Sequence, residues 1–490
     1  MLSAAAVFGL ATAGHAEEMA YAKKPGNPLD AMAADMPMKA KAPAVVDDSL
    51  CWHGICLSGQ IDMGLTYQSH GAPLNELAGS PVLYLIAKQS QGPYFGAGAN
   101  QLSASFVSLR GKQEVADGLY AIFNLQTQFN PESGTLSNGI GSVATNNGLP
   151  TAQQNAFGDS SKNGQAFNAA AYAGLSSPIY GTVTYGRQNA LTSDGVINYD
   201  PMASSGAFSV IGFQGLTGGG GDTQERIYDN SFKYTVGVGP LRFAAEAALR
   251  AGQFSGSQGN NFEAEVGFDY AGFSFDVIGA KIEDGISAAP LTAAQLTAAT
   301  TGAAAIGQGL GLVSGTVSDN TSVMALAKYT VGQWKFYGGY EHIDFNNPNN
   351  PLTIGSFLPG GYVLGAVNNT PFTTTRQWQT FWAGARYAVR SDLDLMLAYY
   401  HEEQNSFRAG TAAAPINAAG CTNSSLAQCS GQLDAVSFVA DWRFAKRFDV
   451  YAGIMWSQVA NGLASGFLSK KPGSDVTSNY SPSAGLKFNF

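Results

Sequence analysis

The sequence predicts an all-β fold, a transmembrane antiparallel up-and-down β-barrel of about 16 strands. Three observations predict it. Segments of about ten residues, the length a tilted strand needs to cross a bilayer, alternate apolar and polar side chains at a period of two. The connections between these segments alternate between short and long. The composition carries only 12% charged residues, with 60 glycines and 11% aromatics. That is about half the charge of an ordinary globular domain, yet no apolar run approaches the roughly 20 residues of a membrane helix. The formal net charge of −9 argues against a nucleic-acid partner, because neutralising phosphates needs clustered Lys and Arg.

From the N-terminus, residues 1–16, MLSAAAVFGLATAGHA, pattern as an export signal. Leu2–Thr12 is its apolar stretch and Gly14-His15-Ala16 its small-residue exit. A basic start is missing, so translation is expected to begin upstream. Residues 17–56 are expected to form a periplasmic tether. Its first part, 17–48, is rich in Ala, Pro, Met and Lys without a period, as linkers are. Cys51 and Cys56 close it in CWHGIC, and Cys421 and Cys429 stand in CTNSSLAQC. Two close pairs behind an export signal predict two local disulfides, both outside the strands. Zinc is the poorer reading, since His53 is the only nitrogen ligand near either pair and no CxxC occurs.

The barrel domain is expected over 57–490. In LSGQIDMGLTY, Leu57, Ile61, Met63 and Leu65 share one face and Ser58, Gln60 and Asp62 the other. WKFYGGYEHID sets Trp334, Phe336 and Tyr340 against Lys335, Tyr337 and Glu341, and QWQTFWAGARYAV sets Phe381, Ala383 and Tyr387 against Trp382 and Arg386. LDLMLAYYHEE, AVSFVADWRF and FDVYAGIMWSQV alternate in the same way. The expected spans are 57–67, 101–112, 118–129, 166–175, 179–188, 227–237, 240–250, 261–270, 272–282, 320–331, 333–344, 377–389, 392–402, 433–444, 447–458 and 480–490.

Short turns such as VADG, GVGP, VRSD and AKR alternate with long loops such as 130–165 and 283–319. Short turns on one side and long loops on the other are the pattern of bacterial outer-membrane barrels. An even count leaves both termini on the short-turn, periplasmic side. A soluble sandwich lacks this strict alternation, and a solenoid would show a repeating unit. Tyr67, Tyr340, Tyr399 and Trp456 fall near expected strand tops, where an interfacial girdle belongs. The final strand, YSPSAGLKFNF, has Phe490, Phe488, Leu486 and Ala484 on one parity. Since lipid offers no partner for open backbone groups, 480–490 should zip to 57–67.

DGLYAIFNLQTQFNPESG (117–134), GTVTYGRQ (181–188), YDNSFKYT (228–235) and the terminal GLKFNF (485–490) resemble, in order, strand motifs of the general porins of Gram-negative outer membranes. The resemblance covers roughly 57–490, with the long loops unmatched. It implies an outer-membrane location, a 16-stranded barrel, usually a homotrimer, and passive diffusion of small hydrophilic solutes and ions. It also implies that the third long loop folds into the lumen, with its acidic residues facing basic residues on the wall. Here that loop is 189–226. Arg187, in YGR, matches the family's wall arginine, and Arg226 is a second wall candidate. Asp194, Asp200 and Asp222 are the loop candidates, with local turn capping as the plainer role.

Strict parity would aim Arg187 at lipid, so the strand is expected to bend at Gly186, because a lipid-facing Arg costs up to ~2–4 kcal/mol near midplane. The family's second-strand arginine is matched only by Arg110, nearer the periplasmic end. Arg242, Arg250, Lys233, Lys328, Arg386 and Arg443 are possible supplements to the basic row. Opposed charge rows in a narrow wet slot make a transverse field that sorts solutes. The acidic total leans towards cations.

Enzyme motifs are lacking. GLTGGGGD has no following Lys-Ser/Thr, HEEQN has no second His, and no GxSxG occurs. No cofactor or metal is expected. Two alternatives stand beside a diffusion pore: a solute-selective porin, or a non-conducting surface barrel for anchoring or adhesion.

Overall fold

The computed structural model describes residues 50–70, 92–132, 134, 136, 166–211, 227–249, 259–290, 313–350, 364–368, 375–405, 430–464 and 476–490. Along them run β1 (Leu50–Trp52), β2 (Ile55–Gln68), β3 (Tyr94–Ala99), β4 (Phe106–Ala116), β5 (Leu119–Gln128), β6 (Ala170–Ser177) and β7 (Gly181–Asn189). A helix, α1 (Leu191–Tyr199), follows, then β8 (Ile227–Val238), β9 (Leu241–Ala248), β10 (Asn261–Tyr270), β11 (Phe273–Pro290), β12 (Val313–Val331) and β13 (Trp334–Asn346). The chain ends with β14 (Leu364–Asn368), β15 (Arg376–Arg390), β16 (Leu393–Gln404), β17 (Gly431–Ala445), β18 (Phe448–Asn461) and β19 (Val476–Asn489).

Three strands are accessories. β1 folds back on the start of β2, β3 pairs with the upper half of β2 while β4 takes its lower half, and β14 runs parallel to the outer end of β12. The remaining sixteen pair antiparallel in chain order, and β19 pairs with β2 to close the wall. The closing register runs from Ser483 opposite Thr66 to Asn489 opposite Gln60. Beyond it, the Phe490 N–H donates to the Gly59 carbonyl at 2.9 Å and the Gly59 N–H donates to the Phe490 carbonyl at 2.8 Å. Every one of the sixteen expected spans lies on a wall strand.

The largest departure is at the second span, 101–112, where the ladder starts only at Phe106. Ala99 pairs with Met63 and Phe106 with Gln60, so residues 100–105 oppose only Ile61 and Asp62. This bulge replaces ladder bonds with side-chain ones. The Asp62 carboxylate accepts the N–H groups of Leu102 (2.9 Å) and Ser103 (2.7 Å), and Asn100 Oδ1 accepts that of Ser105 (2.6 Å). β6 likewise starts later than expected. There the Asn168 side chain accepts the Gln128 N–H (2.7 Å) and donates to the Gln128 carbonyl (2.9 Å), continuing the ladder without a strand.

Outward side chains are apolar and exposed, as a lipid-facing wall requires. Aromatics gather near the short turns: Trp334 packs on Tyr387 with ring centroids 4.4 Å apart, and Phe448 on Phe488 at 4.7 Å. At the turn between β15 and β16, Asp392 accepts the indole N–H of Trp442 at 3.0 Å and is paired with Arg390. The Trp442 bond first, and Arg390 with it, hold the Asp392 carboxyl below its ordinary range. Tyr67, Tyr399 and Tyr480 are exposed near the opposite ends of their strands.

The expected Cys51–Cys56 disulfide is present. Its place is a correction to the expectation that both pairs lie outside strands: Cys51 is in β1, Cys56 is in β2, and the two are cross-strand partners. A turn through His53 and Gly54, both at positive φ, makes the hairpin. Cys421 and Cys429 lie outside the described residues.

The inner face, on which the alternation already places Tyr337 and Trp382, is strongly apolar along one side of the barrel. Over β11–β18 it carries Ile278, Met324, Leu326, Ile343, Phe345, Trp378, Trp382, Met396 and Tyr400, all buried in one cluster with residues of the segment after β7. The alternation itself is intact. What the period does not reveal is that this face meets chain rather than water.

Candidate functional site

The site is built by the stretch 190–211, which leaves the top of β7 and lies inside the barrel. α1 begins without a side-chain cap of its own. The wall supplies one: Glu263 of β10 accepts the Thr192 N–H (3.0 Å) and the Thr192 hydroxyl (2.9 Å), a carboxylate at the positive end of a helix. Leu191, Val196, Tyr199, Met202, Phe208 and Val210 bury themselves against the apolar face of β11–β18. The sequence reading treated 189–226 as loop throughout. Gly, Asp and β-branched residues are weak helix formers, and α1 is held by these tertiary contacts instead.

Polar ties fix the segment at both sides. Trp382 Nε1–H donates to the Tyr199 carbonyl (3.0 Å), and Arg386 Nε–H donates to the Pro201 carbonyl (2.6 Å). The Tyr199 hydroxyl shares a hydrogen with that of Ser274 (2.6 Å). At the far tip, the Ala207 N–H and the Ser205 hydroxyl both donate to the Gln101 carbonyl of the wall bulge, at 2.8 and 2.7 Å. Tyr451 of β18 donates to Asp62 beside it. Gly206 is needed there, because a Cβ would stand 2.5 Å from the Asn100 carbonyl oxygen.

The candidate residues occupy distinct places. The expected bend at Gly186 is real: its φ is +135°, and the β7–β8 register shifts between Gly186 and Gln188. Arg187 is buried in that irregularity. Its Nε–H donates to the Asn168 carbonyl (2.9 Å), and Nη1 pairs with Asp229 (2.6 Å). Asp194 lies in the first turn of α1, accepts from Asn189 Nδ2 (3.0 Å) and pairs with Lys233 Nζ (3.0 Å). Asp200 accepts the N–H groups of Met202 (3.1 Å) and Ser204 (2.8 Å) and the hydroxyl of Tyr400 (2.6 Å), so it caps a turn and pins it to the wall. Arg226 and Asp222 lie outside the described residues.

Among the described residues, Arg187 pairs with Asp229, whereas Asp194 pairs with Lys233 and Asp200 is bound by Tyr400. Lys233 also pairs with Glu246 at 3.1 Å. The sequence reading named Lys233 only as a supplement. The signal was available, since Phe232 and Tyr234 claim the lipid face and leave Lys233 inward. Arg242, another supplement, pairs with Asp276 (2.7 Å) and Asp269 (2.6 Å). Glu246, Glu263, Glu265 and Asp276 thus make an acid-rich wall across β9–β11, beside α1.

A closed sixteen-strand wall, oily outside and narrowed by an internal segment, has the architecture of a diffusion channel. A family model described as Gram-negative porin matches residues 3–461. The chain belongs to the Gram-negative porins. This porin is therefore an outer-membrane channel for passive diffusion. Among solved structures it is similar to an anion-selective porin from Comamonas acidovorans, at 16% identity over 89% of this chain and 99% of that one, with a TM-score of 0.54. It is also similar to a loop L8 deletion mutant of OmpT, an outer membrane protein of Vibrio cholerae, at 14% identity, 89% and 99% coverage, and a TM-score of 0.51. At such identities the likeness is one of fold. No curated protein matches the sequence.

Proposed function

We propose that this porin is a narrow, weakly cation-preferring pore without catalytic activity, whose neck lies between 190–211 and the polar half of the wall. The single observation that carries this is the burial of 190–211 against β11–β18, which leaves solutes the side lined by β4–β10. Asp194 contributes the loop charge of the neck and Lys233 and Arg187 contribute the wall charge. Asp200 serves the neck indirectly, by holding the turn after α1. Across β7–β11 and α1, carboxylates at Asp194, Asp229, Glu246, Glu263, Glu265 and Asp276 outnumber Arg187, Lys233 and Arg242, which supports the cation preference.

The assembly is a homotrimer, a reading that rests on family membership. Residues 1–16 are the export signal and 17–56 the periplasmic tether, ending in the disulfide hairpin beside the short-turn rim.

Single-channel recording in planar bilayers under a KCl gradient tests the pore. A cation-favouring reversal potential is expected, and Arg187→Ala should move it further in that direction. An anion-favouring wild type, or an Arg187→Ala channel with an unmoved potential, would overturn the assignment of the neck. Cross-linking of the detergent-extracted protein should give a three-subunit ladder, and one that stops at two would refute the trimer.

A further inference from the structure

Beneath the inner segment, towards the short turns, three cations stand on three consecutive wall strands: Lys328 on β12, Lys335 on β13 and Arg386 on β15. Lys335 and Arg386 are direct cross-strand partners, and Lys328 faces Tyr337. Like charges directly opposite one another on a sheet repel. All three side chains are inward and half-buried, and they surround two tyrosines. Lys328 Nζ lies 4.7 Å from the centre of the Tyr199 ring, while Lys335 Nζ and Arg386 Cζ lie 5.9 and 5.8 Å from that of Tyr337.

The nearby carboxylates are already engaged. Asp276 and Asp269 pair with Arg242, Asp394 pairs with Arg443 at 2.8 Å, and Asp200 serves its turn and Tyr400. Among the described residues no carboxylate pairs with Lys328 or Arg386. Arg386 donates its Nε–H to the Pro201 carbonyl, which holds the guanidinium in place, and among the described residues its two Nη groups have no hydrogen-bond partner. A fixed arginine fork with two ammonium groups beside it matches a tetrahedral or planar oxyanion.

We propose that Lys328, Lys335 and Arg386 form a binding site for small oxyanions, phosphate or carboxylate, in the periplasmic half of the lumen. It lies below a neck of opposite preference, so it holds an anionic solute at one level of an otherwise acid-rich path. The site rests on the reading of the lumen as solvent-filled on the short-turn side.

The test is binding of inorganic phosphate to the folded, detergent-solubilised barrel, followed by phosphorus NMR line broadening, alongside the effect of phosphate on bilayer current at constant ionic strength. Saturable broadening and a partial block of current are expected. Lys328→Gln with Arg386→Gln should weaken both at least about tenfold, the factor given by losing one charge-assisted hydrogen bond. Arg386→Lys, which keeps the charge and loses the fork, should fall between. Absence of broadening with the wild-type barrel overturns the site. So does an equal effect in the double variant, whose folding is checked by heat-modifiable migration on a gel. Phosphate binding that Lys328→Gln and Arg386→Gln weaken, in a barrel that passes no current, would overturn the channel reading and leave the site standing.

Discussion

Replacing Trp382 with Ala should open the pore. The indole is 3% exposed, donates to the Tyr199 carbonyl at 3.0 Å, and lies over Gly339, where a Cβ would meet its ring at 2.1 Å. Truncating a buried Trp costs ~3–5 kcal/mol, and the lost hydrogen bond is part of that loss. The wall keeps its ladder, because β15 pairs through backbone groups. The loss therefore falls on the docking of 190–211. At about 1.4 kcal/mol per tenfold, the ratio of docked to undocked segment should fall by a factor on the order of 10²–10³. Single-channel recording should show a larger mean conductance and more open-channel noise, with heat-modifiable migration unchanged. Trp334, on the lipid side and 44% exposed, is the control, and Trp334→Ala should leave conductance alone. Wild-type conductance and noise in Trp382→Ala, or equal changes in both variants, would refute the idea that the inward apolar face holds the segment.

Three further outcomes follow from the same geometry. Lys233→Met leaves Asp194 and Glu246 without their cation, so the folded band should melt earlier, by the equivalent of ~3–5 kcal/mol for a broken buried pair; an unchanged melting temperature would count against the pair. Gly186→Val forces a β-branched residue to φ +135° and sets its Cβ 2.3 Å from the Ala171 carbonyl oxygen. The yield of folded barrel should drop sharply while Gly279→Val, on β11 with open space around it and an ordinary backbone conformation, drops it less; equal yields would remove the case for the bulge. Cys51→Ser with Cys56→Ser should leave heat-stable migration intact, because the bridge closes only a small hairpin at the rim; collapse of the folded band would show that the hairpin matters to closure.

The wall was legible because its physics is simple. A strand between lipid and lumen must alternate, and Trp334 against Lys335 or Leu486 against Lys487 states that alternation residue by residue. Gly186 was legible too, since an arginine on the wrong parity needs a bend. The inside was not. Trp382 and Tyr400 sit on the correct inward parity, but nothing local says whether an inward ring meets water or another segment. Lys233 and Asp194 are 39 residues apart in the chain, and Asp62 and Tyr451 are 389 apart. Such pairs follow from how the closed wall places its strands, which periodicity does not encode. The inward bulge at 100–105 was hidden for a related reason: its side chains imitate the ladder they interrupt.

Asp62 belongs to the strand that seals the cylinder, yet its carboxylate is shared between Tyr451 on a late strand and the bulge that grips the tip of 190–211. Closing the seam therefore adds one more tie to a segment that β10–β16 already hold, by bringing Tyr451 to the carboxylate that shapes its anchoring bulge. Damage at the closing strands should thus be felt inside the channel as well as at the wall.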